Sequence, residues 1–81
     1  MSKDATYRNL KVYIAIVSVP DQPDNVVAAD TRDNAIRAAW MQEQDYDISF
    51  EEVKTGSAAF MLREMQGEGK RVEVFCLPVH R

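Results

Sequence analysis

The sequence predicts an α+β fold: a mainly antiparallel sheet of about four strands, in the order β-β-α-β-α-β, with the main helix packed on one face. Three observations carry that expectation. "LKVYIAIVSV", Leu10 to Val19, is dense in β-branched and aromatic residues, which suit a pleated surface. "NAIRAAWMQEQ", Asn34 to Gln44, consists largely of good helix formers behind a polar cap. "RVEVFCLPV", Arg71 to Val79, returns to strand-like alternation at the far end of the chain.

In the first strand, Leu10, Val12, Ile14 and Ile16 fall on one side of the pleat and Tyr13, Ala15, Val17 and Val19 on the other. "PDQPDN" follows with turn chemistry, since proline fixes φ while Asp and Asn bond their own backbone. The chain should reverse there, and "VVAAD" should pair back as a hairpin. Asp30 or Thr31 can cap a helix over about Arg32 to Gln44, with Asp33 at the positive end of its dipole. Ala35, Ile36, Ala39 and Trp40 form its apolar stripe. The alanines allow close approach to the sheet, and Trp40 is expected to supply most of the buried area.

"DISFEEV" alternates Ile48 and Phe50 with Ser49 and Glu51, which predicts a half-buried strand. Ser57 is expected to cap a second helix with Ala58, Met61, Leu62 and Met65 on one face and Gly67 as its left-handed stop. In the last strand Val72, Val74 and Cys76 alternate with Glu73, Phe75 and Leu77.

With 81 residues, the chain predicts one domain over 1–81, with residues 1–8 as a flexible N-terminus. Its 46% hydrophobic and 28% charged residues lie in the globular range. A net charge of -3, with scattered basic residues, argues against direct nucleic-acid binding, which needs Lys and Arg to displace counterions. The single cysteine forbids an internal disulfide, and no apolar run approaches the roughly 20 residues of a membrane helix. A cytoplasmic protein with no membrane association is expected.

No catalytic or metal-binding residue and no cofactor is predicted. His80 is the sole histidine, one residue from the end of the sequence, where nothing holds an imidazole against a nucleophile. Cys76, inside a strand and without a second cysteine, reads as a small buried apolar group. "KTG" at Lys54 to Gly56 matches one box of the β-lactamase signature without its companions.

The most specific feature is "EQDYDISFEE", which places five carboxylates in ten positions with no Lys or Arg. Such self-repulsion persists either because water solvates it or because a basic partner relieves it. The residues that would meet a protein with a basic surface are Glu43, Asp45, Tyr46, Asp47, Glu51 and Glu52, with Tyr46 as an amphipathic anchor. A second candidate surface is the sheet face turned away from the main helix. On this reading it carries Tyr13, Ala15, Val17, Phe75 and Leu77, unless the second helix covers it. Tyr13, Val17 and Phe75, with Phe60 from the second helix, form the alternative interface, through which a homodimer could pair. Exposed, Met41 would also be a contact residue.

In size, acidity and its opening "KVYIAIVSV…VVAADTRDNAIRAAW", the chain resembles the small inhibitors encoded by phages and mobile elements, anti-CRISPR proteins among them. That resemblance implies a non-enzymatic protein whose carboxylates cover the Lys and Arg groove of a nucleic-acid-binding host complex in the bacterial cytoplasm. Two other classes stay open: a dimeric regulatory or antitoxin-like module, and a small carboxylate-dependent enzyme.

Overall fold

The computed structural model describes residues 11–78. The expectations for residues 1–8, for Leu10 and for Val79 and His80 lie outside that range. Strand β1 spans Lys11–Ser18 and β2 spans Asn25–Ala29. Helices α1, α2 and α3 span Arg32–Gln42, Phe50–Val53 and Ala58–Gly67, and β3 spans Arg71–Pro78. The sheet is antiparallel with the order β2-β1-β3, so the first strand lies in the middle.

The α+β class holds, but among the described residues three strands stand where about four were expected, because "DISFEEV" does not extend. Ser49, Phe50, Glu51 and Glu52 read as S-x-x-E, the signature of a capping box, and the short helix α2 begins there. The Glu52 carboxylate accepts from the Ser49 backbone N–H at 2.8 Å. That local bond favours a helical turn over a strand, and Ile48 and Phe50 still pack partly against the core.

The hairpin forms as expected. Its turn is closed by the Gln22 N–H donating to the Val19 carbonyl at 3.2 Å, and Asp21 takes the left-handed conformation at φ 66. Asp tolerates this region better than most residues because its short side chain can bond locally. Thr31 caps α1, its hydroxyl accepting from the Asn34 N–H at 3.0 Å. Ser57 caps α3 by accepting from the Phe60 N–H at 3.1 Å.

The helix stop differs from expectation in one detail. Gly67 is still helical, and the left-handed residue is Gly69, at φ 85. The Lys70 N–H donates to the Met65 carbonyl at 3.1 Å and the Gly69 N–H to the Gln66 carbonyl at 3.0 Å. These two bonds make a Schellman motif, which satisfies orphan carbonyls and turns the chain directly into β3.

Helix α1 lies on β1 and β2, and α3 packs against α1. Ala15, Val17, Ala35, Ile36, Ala39, Val53, Ala58, Met61 and Met65 form the buried core. Trp40 is only half-buried. It reaches across to α3, where its indole N–H donates to Glu64 Oε1 at 2.8 Å, and Ile36 is the large side chain that α1 buries fully. Met41 is half-buried against the core as well.

The sheet's two faces are assigned oppositely to expectation. Tyr13, Ala15, Val17 and Val19 point at the helices, together with Val27 and Ala29 of β2 and Val72 and Val74 of β3. Phe75 and Leu77 sit opposite Ile14 and Val12, so they share the other face with those residues and not with Tyr13 and Val17. The reason is steric. Ala15 in the central strand allows Ala35 and Ala39 to bring the helix close, which the bulk of Ile14 or Ile16 would prevent.

Candidate functional site

The fold engages three of the five carboxylates of the acidic stretch in contacts of its own, and of these Glu43 alone is largely buried. Glu43 caps the C-terminus of α1, with its backbone N–H bonded to the Ala39 and Trp40 carbonyls at 3.2 and 3.1 Å. Its carboxylate accepts from Asn25 Nδ2 at 2.9 Å and meets Lys70 Nζ at 3.2 Å. The Glu43 and Lys70 side chains are only 15% and 18% exposed. This clasp ties the start of β2, the end of α1 and the turn before β3, and the Schellman motif is what aims Lys70 at it. Glu68 also contacts Lys70, at 2.9 Å, and this hydrogen bond, followed by Glu43, holds the Lys70 ammonium above the usual lysine range against an opposing desolvation effect.

Glu52 is occupied in the capping box of α2, and Glu51 pairs with Lys54 at 2.7 Å on the surface. That leaves Asp45 and Asp47, both exposed, with no ion-pair or hydrogen-bond partner for their side chains among the described residues. Between them Tyr46 is 66% exposed and takes no part in the core cluster. The loop from Asp45 to Asp47 follows α1 and belongs to the helical side of the molecule.

The residues of the alternative interface are not brought together. Val17 is 1% exposed, inside the core, and Tyr13 is half-buried on the same covered face. Phe60 is exposed on α3, and Phe75 is exposed on the opposite side of the sheet.

Cys76, expected in the core, is exposed. It lies on the helix side of β3 opposite Tyr13, but the strand is exposed on both sides from Phe75 to Pro78, so the helix layer does not cover that end. A hydrogen bond with the neighbouring Cys76 sulfur, followed by Coulomb interaction with it, holds the Tyr13 phenol above its ordinary range.

Among the described residues the uncovered sheet face carries an apolar grid. Ile14 sits between Ala28 of β2 and Phe75 of β3, Ile16 lies between Val26 and Glu73, and Val12 pairs with Leu77. Val26, Phe75 and Leu77 are 59%, 46% and 52% exposed. The sequence contained this patch, but its membership depended on the choice of face, and both alternating sets on β1 are apolar.

A shallow cavity lined by Ser18, Val19, Pro20, Gly69 and Arg71 lies at the turn end of the sheet and includes no carboxylate. Among the described residues no three His, Cys, Asp or Glu side chains converge as metal ligands would. No helix among them is long and apolar enough to cross a membrane. No family model, curated protein or solved structure matches this chain.

Proposed function

We propose that the protein acts by binding a protein partner that presents a basic surface, and that Asp45, Tyr46 and Asp47 make the central contact. One observation carries this reading. The fold draws Glu43, Glu52 and Glu51 into internal or surface pairs, yet holds two carboxylates that are unpaired among the described residues out on either side of an exposed aromatic. A tyrosine in that setting offers rigid contact area with a polar tip, while the flanking charges steer a basic partner into place.

The resemblance to small phage and mobile-element inhibitors suggests what such binding would do. A carboxylate pair seated among the Lys and Arg side chains of a nucleic-acid groove competes with phosphate for the same cations. Inhibition then needs occupancy alone.

The test compares two baits in a bacterial lysate, the wild-type chain and a triple variant, Asp45→Asn, Tyr46→Ala and Asp47→Asn. A protein retained by the first bait, released by salt and absent from the second supports the reading. If both baits retain the same proteins equally, the loop is only solvated.

A further inference from the structure

We infer that the uncovered sheet face is closed by a second copy of this chain, in a two-fold sandwich with the helices outermost. The argument starts from the core. Nine described residues are buried, four of them alanine, and Ile36, Met65 and Val17 are the largest that are fully buried. A chain of 81 residues with one cysteine has no internal disulfide to reinforce it, and oligomerisation is another way in which a small core is supplemented. Meanwhile Ile14, Ile16, Val26, Phe75 and Leu77 stand on the uncovered face. A second copy is present wherever the chain is made, and it carries the same apolar grid on the same face.

The relief of the face is self-complementary about one axis. A two-fold axis across the strands at the level of Ile14 would set Phe75 on Phe75 and Ala28 on Ala28, producing a clash beside a void, and one midway to Ile16 would set Phe75 on Glu73. A two-fold axis along β1 sets β3 of one protomer over β2 of its partner. Phe75 then fills the space above Ala28, and the Ile14 side chains meet at the axis. Large against small is how facing layers interdigitate, and aligned sheets pack at about 10 Å. Glu73, two positions along β3 from Phe75, then faces Val26 of the second copy at the edge of the contact, where its carboxylate turns out to the polar rim.

Area sets the strength. At roughly 3.3 Å per residue and 4.8 Å per strand, two strands of eight residues and one of five give a face of about 330 Å² before side-chain relief. Two such faces with side-chain relief bury on the order of 1,000 Å², near the lower bound for specific interfaces, so the expected dimer is weak, with Kd on the order of 10 μM.

Sedimentation velocity on the full chain from about 1 to about 500 μM spans that range. The expected result is a reversible monomer–dimer equilibrium, weakened roughly tenfold or more by Phe75→Ala and by Ala28→Phe separately. Combining the two substitutions exchanges the large and small positions, so the double variant should regain most of the lost association. A chain that stays monomeric throughout overturns the inference. So does a dimer indifferent to both single variants, or one that the double variant fails to restore. Circular dichroism confirms folding of each variant, and Leu77→Lys replaces any that unfolds, with loss of the dimer expected.

Discussion

Ile14 and Ala15 are neighbours on the central strand, equally flanked by β2 and β3, and they meet opposite surroundings. Ala15 is fully buried under the alanines of α1, whereas Ile14 faces away from every described helix. Hydrophobicity alone would have buried the larger residue, since burial of apolar area yields about 25 cal/mol per Å². Close packing decides otherwise: a helix can approach only where the side chains between it and the sheet are small, and the dispersion contacts of a tight interior are lost across even a small gap. The comparison teaches that size, and not polarity, assigns the faces of a strand that is apolar on both.

The largest effect that would break this comparison belongs to the covered side. Ile36→Ala removes the one large side chain α1 buries completely, and it is expected to cost about 2–5 kcal/mol in urea unfolding. Total stability for a chain of this length is on the order of 4–12 kcal/mol, so this variant should be close to unfolding. Trp40→Ala, with a half-buried ring, should cost less than Ile36→Ala; the reverse order would place the tryptophan at the centre of the core.

Overpacking sharpens the comparison next. Ala15→Leu is expected to lower stability by about 1–3 kcal/mol, because the helix must back away from the sheet. Ala28→Leu, on the uncovered face, should change the unfolding midpoint by no more than about 0.5 kcal/mol at dilute concentration. Equal effects would mean that both faces are packed in the monomer.

The clasp gives an intermediate effect. Glu43→Gln keeps an acceptor for Asn25 but removes the charge facing Lys70, and should cost about 1–2 kcal/mol because Lys70 retains Glu68. The pH dependence follows from the raised Lys70 pKa. A cation favoured in the folded state contributes its stability fully below the ordinary lysine pKa of about 10.4 and loses it as pH rises through the higher folded value. Urea midpoints should therefore fall as pH rises from the ordinary lysine value towards the higher folded one, and fall less in Glu43→Gln. The smallest expected effect is at the hairpin turn, where Asp21→Gly should stabilise by a few tenths of a kcal/mol by relieving φ 66.

Much of the fold was legible because its signals are local. Thr31, one of two candidate caps, and Ser57 cap their helices, and the prolines and aspartates of the turn set the hairpin. The short helix α2 was missed because four alternating positions are too few to separate a strand from a turn, although Ser49 and Glu52 stood at capping-box spacing. Glu43 could not be assigned from sequence, since Asn25 and Lys70 reach it only through tertiary packing from 18 and 27 positions away. The exposure of Asp45, Tyr46 and Asp47 was legible, as a carboxylate stands on each side of the tyrosine.

Single cysteines in a Cys76→Ser background test the face assignment most directly, through their rates of labelling by a small thiol reagent at dilute concentration. Val26→Cys should label at nearly the rate of an unfolded chain, and Ala15→Cys only through global opening, slower by a factor of about 10³ or more. Raising the protein concentration into the range of the proposed dimer should slow labelling of Val26→Cys and leave Ala15→Cys unchanged. Comparable rates at the two positions would contradict the account, because the sheet would then have no covered face to distinguish from an uncovered one.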